Sequence, residues 1–365
     1  MKHVLITAGG TGGHVFPALA VAQELKDAGF TISWLGTEDR MEAQVVPKAG
    51  FDFTGIEQKA VRGKGALGWL IAPFRLLAGV IKMRRFLALK KPDLVLGFGG
   101  YTAGPAGVAA KSKGIPLIIH EQNAAAGMTN KLLAPLSARV LLGFRGASEQ
   151  LKRSEWVGNP VRQDIAHLMQ EAVPLPEIEL KILVVGGSLG AQHLNEVMPE
   201  VLSQWTGGKV SVLHQTGKGK REQVLTAYSA IDNDTVKSEV VEFIEDMKAA
   251  YLNANLVVCR AGALTCSELA CVGRASLLVP YPYAVDDHQT KNAGELVSAG
   301  AARLIKQHEF TCAHVTQVLQ ELSAHPEQVK EMGEHARQIA QPDAAAKVAA
   351  ICAEEMNTEM NVEQH

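Results

Sequence analysis

Lys2-His3-Val4-Leu5-Ile6-Thr7-Ala8 runs straight into Gly9-Gly10-Thr11-Gly12-Gly13-His14, and Lys181-Ile182-Leu183-Val184-Val185 runs into Gly186-Gly187-Ser188-Leu189-Gly190. Each begins as an unbroken apolar run, the pattern of a strand buried on both faces, and continues through glycines into a helix-like stretch. Strand, glycine turn and helix open a doubly wound α/β unit. The device occurs twice, so the chain reads as two similar α/β domains, each beginning afresh. A length of 365 residues fits that number.

Outward from these two stretches the same alternation continues. Strand-like runs are His3–Thr7, Ile32–Leu35, Leu94–Gly97, Leu117–His120, Val140–Leu142, Lys181–Val185, Val210–His214, Leu256–Cys259 and Ser276–Val279. Helix-like segments such as Pro17–Ala28, Thr129–Leu136, Leu194–Leu202 and Thr265–Cys271 lie between them. The alternation predicts parallel sheets with helices on both faces, and ligands beyond the carboxyl ends of the strands. Gly158-Asn159-Pro160-Val161-Arg162 and the proline-bearing stretch 173–176 mark the linker. Residues 354–365 are polar and read as a frayed end.

A glycine turn entering a helix lets backbone N–H groups approach a phosphate, and the helix dipole favours the anion. Both loops therefore suit a diphosphate, although tight strand–helix packing asks for the same glycines. Neither is a P-loop, because no Gly-Lys-Ser/Thr follows. A dinucleotide site would want an acid ending the second strand. Trp34-Leu35-Gly36-Thr37 and Leu213-His214-Gln215-Thr216 supply none, which counts against a nicotinamide dehydrogenase. A third glycine-rich loop runs from Gly97 to Pro105 and contains Tyr101. Three such loops suggest a large ligand with more than one polar end.

Several single residues carry two readings each. His14, at a helix N-terminus, is held neutral by the dipole and suits a general base toward a sugar hydroxyl; it also suits a packing role. Glu268 closes a capping box, Thr265-Cys266-Ser267-Glu268, or else accepts hydrogen bonds from a ribose diol. His120-Glu121-Gln122-Asn123 places four polar side chains at a strand end, where a site lining is as reasonable as packing. Asp232-Asn233-Asp234 matches the D-x-D metal signature of other sugar transferases but reads as a solvated turn.

The net charge of −2 conceals a local imbalance. From Gln58 to Pro92 there is no acidic residue in 35, although 38 of 365 residues are Asp or Glu. Nine are Lys or Arg, interleaved with Leu67, Trp69, Leu70, Phe74 and other apolar residues. Such a stretch suits docking to an anionic lipid surface; an ordinary core helix with a basic outer face is the other reading. No run is apolar for 18 residues, so no membrane span is expected. The N-terminal apolar run is cut off by glycines too early for a signal peptide. Five cysteines without a C-x-x-C pair suit a reducing cytoplasm, and no metal-ligand spacing appears. No nucleic-acid motif accompanies the basic stretch.

The sequence resembles the MurG family, the UDP-N-acetylglucosamine transferases of peptidoglycan synthesis. The resemblance rests on 9–17 (GGTGGHVFP), 34–37 (WLGT), 62–65 (RGKG), 99–101 (GGY), 120–123 (HEQN), 157–162 (VGNPVR), 186–188 (GGS) and 260–265 (RAGALT), in that order. It implies a GT-B fold, two Rossmann-like domains facing a cleft. These would be an N-terminal acceptor and membrane-facing domain (1–159) and a C-terminal UDP-GlcNAc-binding domain (160–340). A helix (341–356) would return to the first domain, leaving a polar tail (357–365).

The implied reaction moves GlcNAc from UDP-GlcNAc to the C4 hydroxyl of MurNAc in lipid I, undecaprenyl-pyrophosphoryl-MurNAc-pentapeptide. It inverts the anomeric centre and gives lipid II and UDP. His14 would be the base. Donor contacts would come from Thr11, Gly12, Gly13, Asn123, Arg162, Ser188, Ile244, Ala263, Leu264, Thr265, Cys266, Ser267, Glu268 and Gln289. Tyr101 and His120 would line the acceptor side. Arg62, Lys64, Leu67, Trp69, Leu70, Phe74, Arg75, Lys82, Arg84 and Arg85 would dock to the membrane. No tightly bound metal or other cofactor is implied, and no nucleic acid. The expected place is the cytoplasmic face of the bacterial inner membrane, held peripherally. Cell-wall synthesis and division proteins are the implied partners, with roles in cell shape and the cell cycle.

Overall fold

The computed structural model describes residues 1–57, 66–172, 179–187, 189–231 and 234–362, without the side chains of 66–77 and 358–362. Arg62, Lys64, Ser188 and the Asp232-Asn233 pair lie outside the described residues, as does the proline-bearing half of the expected linker. Of Leu67, Trp69, Leu70, Phe74 and Arg75 only the backbone is described. The chain divides into two compact units, one of residues 1–162 with 343–365 and one of residues 163–342.

Among its described residues the first unit contains strands β1 (His3–Thr7), β2 (Thr31–Thr37), β3 (Asp52–Ile56), β4 (Leu94–Gly97), β5 (Leu117–Glu121), β6 (Arg139–Leu142) and β7 (Ser154–Trp156). They form one parallel sheet in the order β3-β2-β1-β4-β5-β6-β7. Helices α1 (Gly12–Asp27), α2 (Glu42–Lys48), α3 (Ala66–Lys90), α4 (Ala103–Lys111) and α5 (Met128–Leu133) supply crossovers. The strand order reverses between β1 and β4, the place where such sheets bind ligands.

Both faces of β1 are buried, which accounts for its unbroken apolar run. Val4 and Ile6 enter a core layer with Val21 of α1, Trp34, and Val348 and Cys352 near the C-terminus. Leu5 points into a second layer with Met83 and Leu87 of α3 and Ala106 of α4. Helix α1 starts at Gly12, five residues before the expected Pro17, because Thr11 is extended (φ −136°, ψ 158°) and the helix leaves directly from the glycine turn.

The second unit begins with α6 (Gln163–Ala166) and has strands β8 (Glu179–Val185), β9 (Lys209–Gln215), β10 (Val236–Val241), β11 (Leu256–Cys259), β12 (Ala275–Leu278) and β13 (Ala302–Leu304). They are parallel in the order β10-β9-β8-β11-β12-β13, so the reversal falls between β8 and β11. Its other helices are α7 (Gln192–Ser203), α8 (Arg221–Ser229), α9 (Met247–Asn253), α10 (Ala263–Val272), α11 (His288–Ser298), α12 (Cys312–Ala324) and α13 (Pro326–Gln338). Ile182, Val184, Leu194, Val212, Leu256 and Phe310 belong to its core.

Helix α14 (Ala344–Val362) belongs to the first unit. Its alanine-rich start favours helix, and Lys2 Nζ fastens it by donating to the Met356 carbonyl at 2.7 Å and to Asn357 Oδ1 at 2.8 Å. The helix continues through the region expected to be frayed, as far as Val362. Among the described residues no helix is long and apolar enough to cross a membrane. The five cysteines are free.

Candidate active site

In the first unit the glycine turn after β1 is held from three sides. Gly10 takes φ +97°, a conformation open to glycine. The buried indole of Trp34 donates to the Ala8 carbonyl at 3.0 Å. Glu42, fully buried at the start of α2, accepts the Gly10 N–H at 3.3 Å through each oxygen and the Thr37 N–H at 3.1 Å through Oε1. The third glycine loop packs on the first: a Cβ on Gly100 would stand 2.7 Å from the Gly9 carbonyl oxygen. Thr11, the N-cap of α1, makes no side-chain capping hydrogen bond.

His14 sits in the first turn of α1, with Nδ1 3.2 Å from the Gly9 carbonyl oxygen. A carbonyl only accepts, so Nδ1 carries the hydrogen and Nε2 holds the lone pair of the neutral ring. Nε2 faces the third loop, 3.6 Å from where a Cβ on Gly99 would be. Tyr101, in that loop, is 57% exposed.

The polar run at the end of β5 is mostly structural. His120, expected to line the acceptor side, is fully buried and stacked on Phe98 at 5.3 Å. Its Nε2–H donates to the Gly158 carbonyl at 2.9 Å, and Nδ1 accepts from Gln122 Nε2 at 3.1 Å. Burial lowers its pKa to about 4. It therefore shapes this surface from beneath. Glu121, also buried, accepts the Asn123 and Gly127 N–H groups and the Asn130 amide, which fixes the following loop. Asn123 is half-buried, the least buried of the four, and Arg162 is half-buried as well.

In the second unit a cavity of about 820 Å³ opens beside the glycine turn after β8. Its lining includes Gly187, Gly190, Arg260, Thr265, Gln289 and Gln307. Gln215 closes the turn, accepting the Gly187 N–H at 3.1 Å and donating to the Gly187 carbonyl at 3.0 Å. It ends the second strand of this sheet, the position where a dinucleotide site wants an acid, and it serves the loop backbone instead. Arg260 donates to the carbonyls of Val279 and Pro280 at 3.1 and 3.2 Å and to Gln307 Oε1 at 2.6 Å. Its guanidinium is thereby fixed in the cavity wall, a fit for phosphate oxygens. Gln289 Oε1 accepts the Tyr281 N–H at 2.8 Å.

The stretch 263–268 is arranged differently from a capping box. Gly262 is the N-cap of α10 (φ −66°, ψ 144°), so Thr265 lies inside the first turn and is not the cap. Ser267 Oγ donates to the Ala263 carbonyl at 3.0 Å, as a helical serine does. Glu268 is buried and accepts the Tyr251 hydroxyl at 2.9 Å. Ala263 and Cys266 are also buried, while Leu264, Thr265 and Ser267 are half-buried. Ile244 borders a separate recess of about 400 Å³ with Lys181, Leu213 and Lys237. Thr265 and Gln289 are thus gathered at the glycine-loop cavity, whereas Ile244 and Glu268 are not among its lining residues.

Sequence reasoning assigned no role to Glu42, Gln215 or Arg260. Arg260 was within reach, because it directly precedes Ala261-Gly262-Ala263 at the end of β11. Among the described residues no three His, Cys, Asp or Glu side chains are grouped to hold a metal ion.

Residues 4–142 match the glycosyltransferase family 28 N-terminal domain and residues 181–348 its C-terminal domain. Two relatives, from Aeromonas hydrophila and Shewanella denitrificans, are each 50% identical over 96% of both chains. Both bear the name UDP-N-acetylglucosamine–N-acetylmuramyl-(pentapeptide) pyrophosphoryl-undecaprenol N-acetylglucosamine transferase. The chain belongs to the MurG members of glycosyltransferase family 28. The crystal structure of Acinetobacter baumannii MurG is 38% identical, covers 97% of this chain and 100% of its own, and superposes with a TM-score of 0.83. Two Rossmann-like units in one chain are the GT-B fold of this family. A UDP-GlcNAc 2-epimerase from Neisseria meningitidis, 15% identical with a TM-score of 0.65 over 97% of this chain and 100% of its own, shares the fold alone.

Proposed function

We propose that the protein transfers GlcNAc from UDP-GlcNAc to the C4 hydroxyl of the MurNAc unit of lipid I, giving lipid II and UDP. The observation that carries this reading is the full-length correspondence with relatives bearing that name. The acceptor C4 oxygen attacks the anomeric carbon as its bond to the diphosphate oxygen breaks. UDP leaves with the bonding pair, the hydroxyl proton passes to His14 Nε2, and the anomeric centre inverts. No enzyme-bound sugar intermediate is needed.

Thr11, Gly12, Gly13, Asn123, Arg162, Ser188, Ile244, the 263–268 stretch and Gln289 contact the donor. Arg260 joins them, because its fixed guanidinium suits the departing diphosphate. Cationic side chains and helix N-termini meet the developing charge, so no tightly held metal is called for. Tyr101 faces the acceptor. The protein works peripherally at the cytoplasmic face of the inner membrane, docked by its basic, apolar stretch. Lys82, Arg84 and Arg85 are exposed there, with Ile81 and Leu89 beside them. Its product places it with cell-wall synthesis and division proteins.

Label transfer from UDP-GlcNAc to a lipid I analogue tests the reading. Inversion gives a β(1→4) product and stoichiometric UDP. Conversion of UDP-GlcNAc to the manno sugar without acceptor would instead make the protein an epimerase. Donor binding with no turnover would make it a nucleotide-sugar binder.

A further inference from the structure

We propose that Glu42 is a positioning residue that acts on His14 through the single peptide unit joining Gly9 to Gly10. The N–H of that unit, on Gly10, donates to both Glu42 oxygens at 3.3 Å. Its carbonyl, on Gly9, accepts from His14 Nδ1 at 3.2 Å. Carboxylate, amide and imidazole therefore form one chain of hydrogen bonds pointing the same way. Hydrogen bonds in such a chain polarise one another. The negative end raises the acceptor strength of the Gly9 oxygen, which holds the proton on Nδ1 and keeps Nε2 as the receiving nitrogen. When Nε2 takes a proton, the same polarised amide faces the new positive charge. A peptide bond thus does what a directly bonded carboxylate does for a catalytic histidine elsewhere.

The packing is specific to this arrangement. Glu42 is fully buried, and among the described residues its hydrogen-bond partners are backbone N–H groups. Buried carboxylates are uncommon unless they are hydrogen-bonded, and Glu42 meets that condition through the same Gly10 N–H that the relay uses. Three glycines make the space. A Cβ on Gly9 would overlap Glu42 Oε1, one on Gly36 would come within 2.7 Å of Glu42 Cγ, and one on Gly100 within 2.7 Å of the Gly9 oxygen. Side chains at any of the three would push the peptide unit out of line.

The inference rests on His14 being the base, and the test separates the two. Glu42→Gln keeps an oxygen at the Oε1 position, which accepts from both Gly10 and Thr37, so each N–H keeps an acceptor while the charge and the second contact with Gly10 are lost. With lipid I analogue and UDP-GlcNAc, kcat should fall about tenfold while the donor KM stays within about twofold. The double variant His14→Ala/Glu42→Gln should be no slower than His14→Ala. A slow His14→Ala beside a fully active Glu42→Gln, or additive losses, overturns the relay alone. A fully active His14→Ala removes the base and the relay with it. ¹⁵N-histidine spectra of the unaltered protein need no variant: neutral His14 should carry its hydrogen on Nδ1, and an Nε2–H ring overturns the proposal.

Discussion

The Tyr251 hydroxyl donates to Glu268 Oε2 at 2.9 Å, and both side chains are buried in the second unit. The tyrosine leaves α9 and the glutamate leaves α10, so the bond fixes the carboxylate's rotamer from a neighbouring helix. In the proposed role at the ribose diol, the carboxylate is oriented in advance by this bond. Glu268→Gln should raise the KM for UDP-GlcNAc about tenfold or more, because a hydrogen bond to a charged acceptor is worth about 1.5–3 kcal/mol. Tyr251→Phe should raise it less, since the carboxylate remains but is less well oriented. Steady-state kinetics with a 2′-deoxyribose donor give the check: Glu268→Gln should lose most of the discrimination against it. An unchanged preference would take Glu268 away from the ribose.

Gly100 should tolerate no side chain. It has φ +87°, and an added Cβ would approach the Gly9 oxygen to 2.7 Å. That oxygen is the acceptor for His14 Nδ1. Gly100→Ala combines left-handed strain of about 1 kcal/mol with displacement of the first loop. The expected result is a kcat loss much larger than the loss of thermal stability. Gly114→Ala is the control, because its φ of +73° brings the same strain with open space around the Cβ. Equal kcat in both variants would show that the contact with Gly9 is unimportant.

Much of this was legible beforehand, for local reasons. Strands β1, β4 and β11 fall where the apolar runs begin and end, because a strand buried on both faces writes an uninterrupted signal. Strands β3, β7, β10 and β13 are not among the expected runs; they are the four sheet edges, short or interrupted by polar residues such as Asp52, Glu155, Lys237 and Glu239. The glycine turns after β1 and β8 were legible, because each follows an uninterrupted apolar run. Glu42 was not, because its partners, Gly10 and Thr37, come together with it only when β1, β2 and α2 assemble. Of the two readings of Glu268 the capping box does not form, because α10 leaves β11 after a short turn and starts at Ala263, and Glu268 accepts from Tyr251 instead.

Two buried histidines should make the fold sensitive to mild acid. His120 in the first unit and His214 in the second each have a pKa lowered by burial to about 4, against an ordinary value of 6.5. His214 Nδ1 accepts from the Tyr228 hydroxyl at 3.0 Å, and its Nε2–H donates to Asn195 Oδ1 at 3.0 Å, an arrangement made for the neutral ring. Between pH 6.5 and 4 the unfolded chain binds these protons and the folded chain does not. Stability is therefore retained above pH 6.5 and falls as pH drops toward 4, by about 3 kcal/mol for each histidine at the lower limit. Thermal melts at pH 7 and pH 5 give the measurement. His214→Asn, less stable at pH 7, should show a smaller drop between the two; an unchanged drop would mean that His214 titrates normally.

The exposed end of α3 offers the sharpest test of membrane docking. Lys82 and Arg85 are exposed on this helix, near the exposed apolar side chains of Ile81 and Leu89. Arg84 is partly engaged, donating to the Ser112 carbonyl at 3.1 Å and to its hydroxyl, so substituting it would also disturb α4's end. Lys82 and Arg85 are the cleaner pair. Each cation near an anionic surface contributes about 1 kcal/mol, so Lys82→Gln/Arg85→Gln should weaken binding to phosphatidylglycerol-containing vesicles about 30-fold. The attraction is screened, so raising salt should reduce binding of the unaltered protein more than that of the variant. Activity on a soluble lipid I analogue should stay the same, because neither side chain belongs to the glycine loops. Vesicle co-sedimentation and soluble-acceptor kinetics on the same preparations separate the two effects. Undiminished sedimentation would move the docking surface away from this end of α3, whereas lost soluble activity would mean the substitutions disturb the acceptor unit itself.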